Sequence, residues 1–136
     1  MIRAVDTSVL VAAFASWHLD HTLAIDELAR KPLMIAHSMV ETFSVLTRLP
    51  EPQRAEPSMV VEFFERNFSG DPLSLTSSDA RSVPSRLVGM GVTGGASYDG
   101  LIALTALASE AMLVSLDQRA APVYRRCGVE FEILGT

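Results

Sequence analysis

Short apolar runs alternate along the chain with longer stretches in which apolar residues recur every three or four positions. The runs at 2–5, 33–36, 112–116 and 129–134 are too short for helices and predict buried strands, with a minor strand at 72–76. Helical spacing covers 9–14, and also 19–30, where Leu23, Ala24, Leu28 and Ala29 form a stripe that Lys31-Pro32 stops. A third helix opens at His37-Ser38 and carries Val45, Leu46 and Leu49 up to Pro50. Further helices are predicted over 59–68, over 78–88 with Pro84 against it, and over 118–126 with Pro122 against it. Ser97 caps a long helix, 98–109, that turns Leu101, Ile102, Leu104, Thr105 and Ala108 toward a core. The proline-rich residues 50–57 read as a surface loop, and Gly89, Gly91, Gly94 and Gly95 as a turn region.

Strands that alternate with helices predict an α/β fold: a parallel β-sheet flanked by helices on both faces, in a single domain over residues 1–136. A hydrophobic content of 49% gives such a chain a core that needs no disulfide or metal staple. The single cysteine, Cys127, excludes a disulfide framework and a cysteine-rich zinc site, and reads as a small buried residue. No apolar run reaches membrane-spanning length, and Asp6 interrupts the N-terminus too early for a signal peptide, so a cytoplasmic chain with no membrane partner is expected.

Charge narrows the chemistry. Lys+Arg total 11 against 16 Asp+Glu, a net of −5, which is the wrong sign for gripping nucleic acid by bulk charge. Lys31 is the only lysine, so any phosphate contact falls to arginine, whose planar fork suits it.

Four acids share one predicted situation. Asp6, Glu41 and Asp117 each follow a strand and open a helix, and Asp99 lies in the first turn of the helix opened by Ser97. In a right-handed parallel sheet all strand-to-helix junctions lie on one edge, so at least three of these carboxylates converge there. A plainer reading competes at each. Ser38-Met39-Val40-Glu41 matches a capping box, Asp6 and Asp117 suit N-caps, and Asp99 suits a helix dipole. Singly, the cap is the better reading; jointly it weakens, because serine or threonine would cap without the repulsion of gathered like charges. Gathered carboxylates need a counter-charge, and a hard divalent cation such as Mg²⁺ or Mn²⁺ supplies one. Such an ion activates water and clamps phosphate oxygens, which would reconcile an acidic protein with an anionic substrate.

Four blocks now carry a resemblance. They are Val5-Asp6-Thr7-Ser8, Val40-Glu41-Thr42-Phe43-Ser44-Val45-Leu46-Thr47-Arg48-Leu49-Pro50, Gly94-Gly95-Ala96-Ser97-Tyr98-Asp99-Gly100-Leu101-Ile102-Ala103 and Leu113-Val114-Ser115-Leu116-Asp117-Gln118-Arg119. Together they resemble the PIN-domain ribonucleases, and within them the VapC-type toxins of bacterial toxin–antitoxin modules. The likeness runs the length of the chain and preserves the order and spacing of the acids. It implies an Mg²⁺- or Mn²⁺-dependent endoribonuclease, the toxin of a type II pair, that forms a homodimer, cleaves RNA and is held by a VapB-type antitoxin. By position, Asp6, Glu41, Asp99 and Asp117 would be the catalytic acids, with Asp6, Asp99 and Asp117 holding metal, and Ser8 and Ser115 as supporting hydroxyls. Gly100 stands where this subgroup often has alanine, a departure that removes no functional group.

Other residues invite weaker readings. Arg48, Arg119, Arg125 and Arg126 are candidate RNA phosphate contacts, although solvated arginines are the default. His18, His21 and His37 fit no metal-binding pair on one helix and read as structural or surface residues. Trp17 reads as core or dimer interface, with stacking on a base as its competitor. An aspartyl-phosphate enzyme would need a second Asp where Ser8 stands, or a lysine late in the chain. A catalytically inactive PIN-like module that binds protein or RNA would be expected to lack at least one acid.

Overall fold

The computed structural model describes residues Met1 to Thr136. At its centre lie four parallel strands: β1 Arg3–Val5, β2 Leu33–Met34, β3 Met112–Ser115 and β4 Phe131–Ile133, side by side in the order β2-β1-β3-β4. Val5 pairs with Met34 on one side and Val114 on the other. The chain leaves β1 for β2 on one flank and then crosses to β3 on the opposite flank. That reversal opens a crevice beyond the carboxyl ends of β1 and β3.

Helices cover both faces of the sheet, as the alternation of elements predicts. Alternate strand residues serve the two cores. Ala4 and Leu113 pack with Ile102, Leu104 and Tyr124, whereas Val5, Met34 and Val114 pack with Val9, Leu10 and Ala24. The second face is built by α1 Thr7–Phe14 and α2 His21–Leu28. The first is built by α5 Ser77–Gly89, α6 Ser97–Ala108 and α7 Ala121–Cys127. Between β2 and α5 stand α3 Ala36–Thr47 and α4 Pro57–Asn67, which close a smaller cluster around Leu46 and Val60. No helix is long and apolar enough to cross a membrane.

α6 is the central helix. Every residue from Ile102 to Ala106 is buried, so it has no solvent face over that span, and Ala108, expected in the core, is exposed. Gly100 has a packing reason: a Cβ there would stand 2.5 Å from Leu87 Cδ2 on α5. An alanine there would have to push the Leu87 side chain aside.

Several expected boundaries shift for local reasons. The strand expected at 72–76 is a single bridge between Leu73 and Ile35. Pro84 sits inside α5, where it and Ala80 are both exposed, so the carbonyl it frees faces water. Pro122 lies in the first turn of α7, where a missing N–H costs nothing, and residues 118–120 form a separate 3₁₀ turn. In α2 the buried stripe is Ala24 with Glu27, and Leu23 is exposed.

Candidate active site

Asp6 is the first residue past β1 and the N-cap of α1. Its Oδ1 accepts the amides of Ser8 (3.0 Å) and Val9 (3.4 Å) and the Ser8 hydroxyl (2.5 Å). Its Oδ2 accepts the phenol of Tyr124 at 2.7 Å, an approach from α7 that the sequence pattern does not disclose. The capping role is therefore real, and it coexists with a place in the crevice: the two readings that competed at Asp6 are compatible. Asp6 is 3% exposed and every donor it meets is neutral, so burial pushes its carboxyl above the usual range while neighbouring hydroxyls pull it back.

The end of β3 is tied to the same point. Ser8 Oγ accepts the amide of Leu116 at 2.8 Å and lies 3.3 Å from Ser115 Oγ. Ser115 Oγ in turn accepts the amide of Asp117 at 2.9 Å. These two serines thus join the ends of β1 and β3 and set the spacing of Asp6 and Asp117. Asp117 Oδ1 accepts the Arg119 amide at 2.9 Å, capping the 3₁₀ turn.

Glu41 and Asp99 arrive on α3 and α6. The capping box expected at Ser38–Glu41 does not form, because α3 begins earlier, at Ala36, with Ile35 as its N-cap. Glu41 instead accepts a hydrogen bond from the Thr7 hydroxyl, which ties α3 to the start of α1. Ser97 lies inside α6 and does not cap it; a 3₁₀ turn at Gly94–Ala96 leads into the helix and places Asp99 in its first turn. Partial burial first, then the charges of Asp117, Asp6 and Glu41, raise the Asp99 carboxyl to about 6. That repulsion is the electrostatic signature of four carboxylates sharing one space.

The space is a cavity of about 470 Å³, lined by Asp6, Glu41, Asp99 and Asp117 together with Thr7, Ser8 and Tyr124. His18 and Asp20, from the turn between α1 and α2, complete its rim. Neither was singled out for the site by sequence; their signal lies in the order of loop residues, which periodicity does not read. His21 and His37 are elsewhere: His21 Nδ1 is 2.8 Å from Ala12 O, and His37 stacks on Tyr98. Trp17 is exposed, not core.

No lysine or arginine lines the cavity, and none of the four acids joins an ion pair. Arg119 is the second residue of the 3₁₀ turn after Asp117, with its side chain exposed. Arg48 reaches Ser44 Oγ, Arg125 lies over the Phe131 ring, and Arg126 donates to Gly91 O. All four are exposed and outside the cavity. The donor set is therefore hard oxygen without a matching cation, which suits Mg²⁺ or Mn²⁺. No three His, Cys, Asp or Glu side chains close on one point as ligands. Mg²⁺ does not require that, since it keeps several waters and takes one or two carboxylates directly. The residues present fit such an ion.

Comparison with known proteins agrees with this geometry. The PIN domain family model matches residues 3–126. Ribonuclease VapC40 of Mycobacterium tuberculosis is 45% identical over 131 residues, covering 96% of this chain and 98% of that protein. Ribonuclease VapC27 of the same organism is 37% identical over 127 residues, covering 93% and 92%. Among solved structures, VapBC2 from Rickettsia felis bound to a DNA fragment from its promoter superposes with a TM-score of 0.66 at 17% identity, covering 98% of both chains. FitAcB from Neisseria gonorrhoeae does so with a TM-score of 0.66 at 18% identity, covering 96% of both. At such identities the two structures speak to the fold.

Proposed function

The chain belongs to the PIN-domain family, and from that premise we propose that it is an endoribonuclease, the toxin of a type II toxin–antitoxin pair, hydrolysing RNA phosphodiester bonds at the acidic cavity. The observation that carries this reading is the gathering of Asp6, Glu41, Asp99 and Asp117 around one cavity that holds no cationic side chain. Structural caps need no such gathering, and an inactive binding module has no use for four mutually repelling carboxylates.

Asp6, Asp99 and Asp117 are the residues that would hold Mg²⁺, with Mn²⁺ as a substitute, and Glu41 is the fourth catalytic acid. The bound ion would supply a water of lowered pKa and positive charge against the phosphate. The chain's own residues do the positioning. Tyr124 and Ser8 fix both oxygens of Asp6, Thr7 orients Glu41, and the Ser8–Ser115 tie keeps Asp117 in register with Asp6. Arg119, two residues past Asp117, and Arg48, the C-cap of the α3 helix that carries Glu41, are candidates to meet a phosphate outside the cavity, as are Arg125 and Arg126. A VapB-type antitoxin and a second copy of this chain are the expected protein partners.

The test is cleavage of total RNA by purified, antitoxin-free protein with Mg²⁺ or Mn²⁺, with EDTA, and with Asp6→Asn and Asp99→Asn variants. Discrete cuts that EDTA and either substitution remove are expected. Cutting that persists in both variants would return the acids to service as helix caps.

A further inference from the structure

One part of the cavity rim has no role in the reading above. The turn between α1 and α2, residues 15–20, is held by the His18 amide on Ala15 O (2.9 Å) and the His21 amide on His18 O (3.1 Å). His18 lines the cavity, and its Nδ1 accepts the Asp20 amide at 3.0 Å. The neutral ring therefore carries its proton on Nε2, which makes no hydrogen bond within the chain. Beside it, Trp17 is 56% exposed, with its ring centroid 6.1 Å from that of His18. Trp17 does not itself line the cavity, but a large aromatic ring left in water beside a residue that does gives up burial that a core position would supply.

The substrate creates a need that this turn can meet. RNA is a polyanion, the chain carries a net charge of −5, and the cavity offers carboxylates and hydroxyls but no arginine or lysine. Asp20, on the same turn, faces the cavity with like charge. Bulk attraction is therefore weak. Stacking of a base on an aromatic face does not depend on net charge, and is open chiefly to bases that are unpaired and splayed.

We propose that the 15–20 turn is the strand-holding lip of the site: Trp17 stacks on an unpaired base of the RNA, and His18 donates from Nε2 to a backbone oxygen of the same strand. The assignment rests on the ribonuclease reading. It makes Trp17 and His18 substrate-binding residues, and predicts that their loss shows in KM more than in kcat.

The chain has one tryptophan, so its fluorescence reports the lip alone. The full-length protein is mixed in a stopped flow, in Mg²⁺ buffer, with a single-stranded oligoribonucleotide of mixed sequence and read before turnover. Saturable quenching is expected, with little from an abasic oligomer of equal length and charge or from a duplex. Trp17→Ala raises KM about ten-fold, the worth of one base–aromatic stack, Trp17→Phe recovers much of it, and His18→Gln raises KM less. RNA cleavage with unchanged fluorescence and an unchanged KM in Trp17→Ala would overturn the lip. So would equal quenching by the abasic oligomer, or a fluorescence change on dilution alone, which would assign Trp17 to a contact between copies. Wild-type protein that cuts no RNA in the same buffer would overturn the ribonuclease reading and the lip with it.

Discussion

Two carboxylates in this molecule are equally buried and opposite in what surrounds them. Glu27, on α2, is 3% exposed and is met by Arg3 through two bonds of 2.8 Å, with Arg3 also reaching Glu132 at 3.1 Å. Asp6 is likewise 3% exposed, yet it is met only by hydroxyls and backbone amides, with four more acids, Asp20, Glu41, Asp99 and Asp117, lining its cavity. Both begin from β1, Arg3 at its start and Asp6 just beyond its end. At the amino end the chain supplies the counter-charge; at the carboxyl end it withholds it. A buried charge left without a partner is costly, so the second arrangement makes physical sense when a cation arrives from outside.

Substitutions should separate the two ends, and the largest effect belongs to the cavity. Asp99→Asn should lower RNA cleavage by about a thousand-fold, the scale of losing a metal ligand's charge stabilisation. It should also raise the thermal midpoint of the metal-free protein, because it removes a repelled charge. Loss of activity together with a fall in stability would place Asp99 in the structural class with Glu27.

Arg3→Ala should do the reverse. It strands Glu27 without its partner and should cost about 3 kcal/mol in denaturant unfolding, the low end for an uncompensated buried charge. Cleavage per folded molecule should hold, and a selective loss of cleavage would tie the amino end of β1 to the chemistry. Tyr124→Phe lies between these extremes. It keeps the ring against Phe131 and removes only the donor to Asp6 Oδ2. Cleavage should fall about 10- to 100-fold, with a higher Mg²⁺ requirement, as for the loss of a group that orients a metal ligand. Unfolding free energy should change by only about 1 kcal/mol.

The smallest expected effect is a pH dependence of stability. The Asp99 carboxyl titrates near 6 in the folded chain against 3.8 ordinarily, and that of Asp6 is shifted the same way. Between those values the folded protein binds more protons than the unfolded one, so metal-free stability should fall as pH rises from about 4 past 6. Thermal scans should show this slope, and Mg²⁺ or Asp99→Asn should flatten it. A slope that is unchanged in Asp99→Asn would remove the cavity as its source.

The sequence disclosed the sheet, its parallel sense and the carboxyl-edge placement of Asp6 and Asp117, because short apolar runs and strand-to-helix junctions follow from local pattern. Asp99 has no strand before it, and Glu41 lies in the second turn of α3, not the first as expected, so local pattern alone does not bring these two to the edge. The sequence did not disclose what holds those acids. Tyr124 lies 118 positions from Asp6 and Thr7 lies 34 from Glu41, and such pairings depend on packing across elements. Ser38 looked like a cap because its spacing to Glu41 is that of a capping box, but α3 starts three residues sooner, with Ile35 as its N-cap. His18 was read as a structural or surface residue, and its place on the cavity rim went unforeseen because a turn has no periodicity to show which side chains face a cavity; for Trp17, exposure removes the core half of its reading.

Direct cation binding tests the central claim most plainly. Mn²⁺ would be titrated into the wild type, Asp99→Asn and Glu27→Gln proteins by calorimetry or by electron paramagnetic resonance of the free ion. The account predicts saturable binding in the wild type and in Glu27→Gln, and its loss in Asp99→Asn. Absence of binding in all three, or equal binding in Asp99→Asn, would contradict it.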